Sequence, residues 1–377
     1  MSDIISPPSG NAAEEAAADS GADTLSKTQS QNLPAEEKKL GIALVGLGQY
    51  SEQELGPALT ETAYCRLVAV VSGSPEKREK WRHQYNLKET NLYTYENFDD
   101  IRANREIDIV YVVLPNSMHA NYVIRAAQAG KHVICEKPMA TSVEDCHRMI
   151  RACQDARVKL SIGYRLHFDP FNQEMMRLGQ NKRFGSIERV IARNGMDVGR
   201  PNQWRLNRGL AGGGPLMDVG IYCVQGALYT IGELPIAVNA RFLPKQNPQK
   251  FAQVEEGIDW EMEFPAGVKA FCQASYSQEA DLLRAECVSG WFELKPAYAY
   301  NGLKGKTSED LMTLTSANQQ AEQMDDFALC VQNQSETRVP GEMGLRDVQI
   351  LQAIYQSAET GERVELHLEK FQNLIEI

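Results

Sequence analysis

Apolar runs and helix-like stretches alternate along the chain from residue 40 onward. LGIALVGLG is followed by RLVAVVSG, then DIVYVVLPN, then HVICEKP. Each run is short, almost free of polar residues and closed by glycine, serine or proline, which predicts strands buried on both faces. Helical patterns lie between them, such as HANYVIRAAQAG, where Gly130 stands in the place of a helix stop. Strand and helix in alternation predict a parallel sheet covered on both sides, and ligands of such sheets bind beyond the carboxyl ends of the strands. The residues that follow the runs are Gly46, Leu47, Gly48 and Gln49; Ser72, Gly73, Ser74 and Lys77; Leu114, Pro115 and Asn116; and Glu136, Lys137 and Pro138. They are expected to meet in one crevice.

The first strand end reads G-x-G-x-x-S. Gly46 and Gly48 suit a tight turn and the close approach of backbone to a pyrophosphate, and Ser51 stands where a third glycine is usual. A plain tight turn shares this signature; the strand–helix context favours dinucleotide binding. The second strand end bears on which dinucleotide. VSGSPEKREK carries no carboxylate at the strand end to hold a ribose 2′-hydroxyl, whereas Ser72, Ser74 and Lys77 offer donors to a 2′-phosphate. NADP is therefore the expected cofactor, with a polar helix cap as the competing reading.

Two further stretches carry chemistry. CEKPMATS places Lys137 at the end of a buried strand, where it either pairs with a carboxylate or stabilises charge on a substrate oxygen. MDVGIY follows the glycine run AGGGPL; if it winds as an α-helix, Asp218 and Tyr222 lie one turn apart on one face. Hydride transfer from an alcohol needs a base for the hydroxyl proton. A tyrosine, with an ordinary pKa of about 10, becomes such a base beside a lysine ammonium that favours the phenolate. Asp218 would then position the lysine or the substrate hydroxyl. A helix-start aspartate and a core tyrosine are the plainer alternative.

Other patterns speak of packing. QMDDFALCV places Asp325 and Asp326 on the expected solvated face of a helix, and LRDVQILQAIYQSAETG predicts an amphipathic terminal helix stopped by Gly361. WFELKPAYAYNG predicts a strand pair. His119 either approaches the cofactor or simply opens a helix.

Length and charge narrow the field. A chain of 377 residues suits about two domains. A net charge of −11 argues against a nucleic-acid partner, which clustered Lys and Arg would serve. The eight cysteines form no C-x-x-C pair and the six histidines no ligand spacing, so no metal is expected. Cys135, Cys223 and Cys272 lie in apolar runs and are read as reduced core residues. No apolar run reaches the roughly 18 residues that span a bilayer, so no membrane partner is expected. Residues 1–38 are rich in Ala, Ser, Glu and Gln and read as a disordered arm. They lack a basic opening followed by an apolar stretch, and the first arginine is Arg66, so a cytoplasmic location is expected.

The motifs VGLGQY, VSGSPEK, VVLPNSMHANYVIRAAQAGKHVICEKPMATSVEDC, IGYRLHFDPFN, QWRLNRGLAGGGPLMDVGIY and PGEMGLRDVQILQAIYQSAETG resemble the glucose–fructose oxidoreductase branch of the Gfo/Idh/MocA oxidoreductases. The resemblance implies an N-terminal Rossmann domain, placed at 39–163, and a C-terminal α/β domain with a large, mostly antiparallel open sheet, placed at 164–377. It implies association into dimers or tetramers through that sheet, and hydride transfer between NADP and a sugar or polyol. It makes Lys137 the catalytic lysine, Tyr222 and Asp218 its partners, and Ser72, Gly73 and Lys77 the 2′-phosphate contacts. Arg165, Trp204, Arg205 and Tyr300 would line the cofactor or sugar, and Tyr50, next to the first strand end, is counted with the cofactor contacts. The arm is acidic and alanine-rich where the branch has a proline-rich one, which leaves both a permanently held and an exchanging NADP open. A dinucleotide-binding sensor without turnover, or a dehydrogenase of another cyclic polyol or carbonyl compound, are the alternative readings.

Overall fold

The computed structural model describes residues 39–375, so the arm at 1–38 lies outside the described residues. Six strands form the first sheet: β1 (Leu40–Val45), β2 (Cys65–Val71), β3 (Leu92–Tyr93), β4 (Ile109–Val112), β5 (His132–Cys135) and β6 (Leu160–Ile162). Their order is β3-β2-β1-β4-β5-β6 and every pairing is parallel. The order reverses direction between β1 and β4, which opens a crevice at the carboxyl ends of those strands. Alternate residues serve opposite faces. Ala43, Val45, Val110, Val112 and Val133 enter one apolar core; Ile42, Leu44, Ile109, Tyr111 and Ile134 enter another. That double burial is why these runs lack polar residues.

Nine strands form the second sheet: β7 (Ile187–Gly195), β8 (Ala237–Phe242), β9 (Gly257–Glu263), β10 (Lys269–Ser275), β11 (Ala280–Cys287), β12 (Gly290–Leu294), β13 (Gly305–Thr307), β14 (Leu311–Met312) and β15 (Val364–Glu365). The order is β14-β13-β12-β11-β7-β10-β9-β8-β15, antiparallel except for the β7–β10 pair. Of the strand pair expected in WFELKPAYAYNG only WFEL forms a strand, within β12; residues 295–304 connect it to its partner β13, which lies beyond that stretch. One face of this sheet is covered by the helices Ile221–Ile231 and Gly341–Thr360, the latter ending at Gly361 with φ 73°. On the other face Phe271 is 41% exposed among polar neighbours.

The chain does not stay on one side of residue 163. The helix Gln319–Asn333 returns to the first sheet, where Met324, Phe327 and Ala328 join the core of Ile42 and Leu44. This corrects the reading of Asp325 as a solvated residue. Its two carboxylate oxygens accept the N–H groups of Ala63 (2.7 Å) and Tyr64 (2.8 Å), tying the helix to the start of β2. Asp326 is half-buried rather than solvated. All eight cysteines are buried and free. No helix among the described residues is long and apolar enough to cross a membrane.

Candidate active site

The turn after β1 needs its first glycine twice over. Gly46 has φ 98°, and a Cβ there would lie 2.2 Å from the Val113 carbonyl oxygen. Ser51, in place of a third glycine, is a prop: its buried hydroxyl donates to the Gly46 carbonyl oxygen at 2.6 Å. Leu47 is buried, while Gly48 and Gln49 face outward. A Cβ on Gly48 would meet nothing within 4 Å, so the backbone there is open to a ligand. Tyr50 is half-buried, its ring 5.7 Å from that of Tyr300.

Beyond β2, the buried Ser72 hydroxyl accepts the Ser74 N–H at 3.2 Å, and Ser74 caps the helix Pro75–Tyr85 through the Lys77 N–H. Lys77 folds back across the crevice, its ammonium donating to the Leu47 carbonyl oxygen at 2.9 Å. Gly73 is exposed beside the Tyr95 ring. One residue here escaped the sequence reading. Arg78 donates to the Ser72 carbonyl oxygen and so brings a second cation to the strand end. Its adjacency to Lys77 was the available signal.

The ends of β4 and β5 are fastened to one another. His119 is fully buried, with Nε2 2.8 Å from the Leu114 carbonyl oxygen and Nδ1 3.0 Å from that of Pro138. Burial pulls the imidazole down toward its neutral form, whose single N–H donates to one of these two carbonyls, and His119 opens the helix His119–Gln128. The Pro115 carbonyl accepts the Met118 N–H, and buried Asn116 donates to the Ala211 carbonyl oxygen at 2.9 Å. Glu136 is buried too. It accepts the Tyr111 hydroxyl at 2.7 Å and the Lys137 N–H at 3.2 Å, and Tyr111 in turn accepts from Gln323 at 2.9 Å. Burial pushes the Glu136 carboxyl up, and Lys137 offsets only part of the rise. Gly163 makes room for it; a Cβ there would stand 2.8 Å from Glu136 Oε1.

Lys137 projects from this wall to meet Asp218. Its Nζ donates to the Asp218 carbonyl oxygen at 2.8 Å and lies 3.4 Å from Oδ1. Oδ2 of Asp218 accepts from Arg205 Nε at 2.9 Å and from the Tyr276 hydroxyl at 3.0 Å. Burial raises the Asp218 carboxyl, but Arg205 and Lys137 outweigh it and hold it at about 2. Burial also pulls the Lys137 ammonium down; Tyr222, Asp218 and Glu136 overcome this and keep it above the ordinary lysine value. The group is a charged, hydrogen-bonded set in a half-closed space. Tyr276 had no local sequence signal, since it stands 58 residues from its partner.

Tyr222 closes the set by a route that differs from the expected single α-turn. Residues Leu216–Gly220 wind as a π-helical turn, and the α-helix proper begins at Ile221. Two cations lie over the Tyr222 ring: Lys137 Nζ at 4.7 Å and Arg165 Cζ at 5.1 Å from its centroid. Arg165 is buried, donates to the carbonyl oxygens of Tyr298 (2.5 Å) and Ala299 (3.2 Å), and also faces Tyr300 at 4.3 Å. Its Nε is buried without a hydrogen-bond partner among the described residues. Trp204 stacks beneath Arg205, with Cζ 4.7 Å from its ring. Two cavities lie outside this crevice, one of about 410 Å³ around Trp260 and Phe271 and one of about 770 Å³ around Tyr229 and Arg346; neither includes a strand-end residue of the first sheet.

With this geometry in place, comparison with known proteins is decisive. Residues 40–164 match the model described as the oxidoreductase family, NAD-binding Rossmann fold; residues 172–289 match the GFO/IDH/MocA C-terminal domain, and residues 296–366 the oxidoreductase family C-terminal α/β domain. The chain belongs to the Gfo/Idh/MocA oxidoreductase family. Among its Gfo/Idh/MocA relatives is the D-xylose 1-dehydrogenase [NADP(+)] of Haloarcula marismortui, 30% identical over 89% of this chain and 96% of that one. The D-glucoside 3-dehydrogenase of Escherichia coli is 27% identical over 87% and 97%. The crystal structure of aldose–aldose oxidoreductase from Caulobacter crescentus, complexed with glycerol, superposes with a TM-score of 0.85 at 41% identity, covering 87% of this chain and all of that one.

Proposed function

We propose that this protein is an NADP-dependent oxidoreductase that transfers hydride between the nicotinamide and a sugar, with an aldose as the favoured substrate class. The observation that carries the reading is the Lys137–Asp218–Tyr222 set at the carboxyl ends of the first sheet. The residues present fit the cofactor. The backbone at Gly48 is open to a pyrophosphate, β2 ends without a carboxylate, and Ser72, Lys77 and Arg78 supply donors for a 2′-phosphate. Bound NADP(H) supplies the hydride acceptor or donor.

The chain's own residues handle the proton. Tyr222 takes the proton of the substrate hydroxyl at its phenol oxygen during oxidation and returns it during reduction. Lys137 stabilises the negative charge on the substrate oxygen, and Asp218 holds the ammonium in place through two contacts. Arg165, Trp204, Arg205 and Tyr300 are proposed to line the space where sugar and nicotinamide meet. The aldose assignment draws support from the 41% identical aldose–aldose relative and the NADP-linked xylose dehydrogenase. A homodimer or homotetramer joined through the open face of the second sheet, and a cytoplasmic location, complete the proposal. The domain division at 163/164 belongs to it as well, with the helix Gln319–Asn333 packed back onto the first sheet.

The test is the absorbance of the purified protein at the reduced-nicotinamide band, before and after adding single aldoses, with and without added NADP. A sugar-dependent rise supports the reading, and a rise without added NADP means the cofactor is retained from one turnover to the next. No change with any aldose or polyol, in a protein that binds NADP, would sink it.

A further inference from the structure

The glycine run ahead of Asp218 has a partner that comes from far along the chain. Glu255 is buried, and its Oε2 accepts the Gly214 N–H at 2.9 Å. Its Oε1 accepts the Leu216 N–H at 3.2 Å and the Tyr355 hydroxyl at 2.7 Å. Pro215, between the two amides, has no N–H to offer. One carboxylate therefore takes both backbone donors in the step from Gly214 to Leu216, donors that a helix start leaves without an internal partner. Leu216 opens the π-wound turn that holds Asp218, and the helix bearing Tyr222 continues from it.

The glycines follow from this contact. A Cβ on Gly214 would lie 2.6 Å from the Glu255 carbonyl oxygen and 2.9 Å from its carboxylate; on Gly213 it would lie 2.0 Å from the Tyr355 hydroxyl. Glu255 is itself held from both sides. Its neighbour Glu256 accepts the N–H groups of Gln246 (2.8 Å) and Asn247 (3.0 Å), which closes the preceding loop, and Tyr355 is fixed within the helix Gly341–Thr360. Three neutral donors converge on two oxygens, an arrangement that suits a carboxylate. A glutamine would turn an amide NH2 toward one of them and lose at least one contact.

We propose that Glu255 is a positioning residue: by clamping the backbone on both sides of Pro215 it sets where Asp218 and Tyr222 stand relative to Lys137. The inference rests on the acid–base reading given above. It touches no proposed reacting atom itself.

The experiment compares full-length wild type, Glu255→Gln and Tyr355→Phe for NADP affinity, kcat, KM, the pH profile of kcat and thermal stability, on an aldose that the wild type oxidises. Displacing a reacting group by about 1 Å costs up to about 100-fold, so Glu255→Gln should lose about 10-fold to 100-fold in kcat and shift the pH profile. NADP affinity should stay within about twofold, because Glu255, Gly214 and Leu216 are not among the proposed cofactor contacts. Tyr355→Phe keeps both amide contacts and should lose less than about threefold. A Glu255→Gln protein with lowered melting temperature but wild-type kcat and pH profile overturns the proposal. If that variant does not fold, Gly214→Ala presses the same contact from the other side, and a folded Gly214→Ala with wild-type kcat overturns it equally. A wild type that binds NADP and turns over no sugar counts against the oxidoreductase reading and this role together, whereas loss of the Glu255 effect alone leaves that reading standing.

Discussion

The ammonium of Lys137 lies 4.7 Å from the centroid of the Tyr222 ring, over the aromatic face. In this position the cation is attracted by the ring as well as by any charge on its oxygen. The two residues come from different sheets' territories, so their meeting defines where the crevice is closed.

Removing the phenol oxygen alone tests the acid–base role. Tyr222→Phe keeps the ring under Lys137 and should fold and bind NADP as wild type does, while kcat falls by about 100-fold to 10,000-fold. Lys137→Met should lose at least as much, since it removes the cation and leaves Asp218 with Arg205 as its one basic contact among the described residues. Stopped-flow reduction of NADP by an aldose checks both. Rates equal to wild type in either variant would show that the proton leaves by another route.

Asp218 makes a prediction about acid stability. Its folded carboxyl sits at about 2, below the ordinary aspartate value, because Arg205 and Lys137 favour the charged form against burial. A depressed folded value means that the stabilisation is fully present above about pH 4 and is lost as pH falls toward 2. It amounts to roughly 2 kcal/mol. Asp218→Asn should therefore flatten this part of the acid-unfolding curve, and its deficit relative to wild type should shrink below pH 4. Urea titrations at stepped pH measure it. An unchanged slope in the variant would mean that the ion pair is no more favourable than the solvated charges.

How much of this was legible beforehand follows from what each pattern depends on. β1, β2, β4 and β5 were readable because burial on both faces removes polar residues from the run. β3 and β6 were not, having two and three residues. The strand-end residues and the Lys137–Asp218–Tyr222 set came from position and motif. The π-wound turn could not, since a single extra residue per turn leaves no mark on a five-residue stretch. Tyr276, Gln323 and Glu255 reach the site from 58 residues, 212 residues and about 40 residues away respectively, so only the fold discloses them. His119 was ambiguous because a helix-start histidine looks alike whether it faces a ligand or two carbonyls.

Cofactor choice should rest on the cations at the end of β2. Lys77 reaches from there to the Leu47 carbonyl, Arg78 donates to the Ser72 carbonyl, and the Ser72 hydroxyl accepts the Ser74 N–H. A hydrogen bond to a charged group contributes about 1.5–3 kcal/mol, so Lys77→Ala and Arg78→Ala should each weaken NADP binding by roughly 10-fold to 100-fold. Affinity for NAD, which lacks the 2′-phosphate, should barely change. Fluorescence titrations with both nucleotides decide it. Equal losses for NAD and NADP would place these residues in folding rather than in recognition.

The open face of the second sheet should be where two copies meet. Phe271 is 41% exposed near its centre, in β10, between the ladders of β7 and β9. Around it the charges alternate in sign: Arg241 pairs with Asp259 at 3.1 Å, Lys269 with Glu261 at 2.6 Å, and Arg193 stands across the β7–β10 ladder. A central aromatic ringed by mixed charges is self-complementary under a two-fold axis, because each sign finds the other on the facing copy. Phe271→Arg should place two like charges opposite one another in such a pair and shift the protein from dimer or tetramer toward monomer. Light scattering at a fixed protein concentration measures the mass directly. A wild type that is already monomeric at about 10 μM, a concentration where an interface of standard size holds together, would remove this face as the site of assembly.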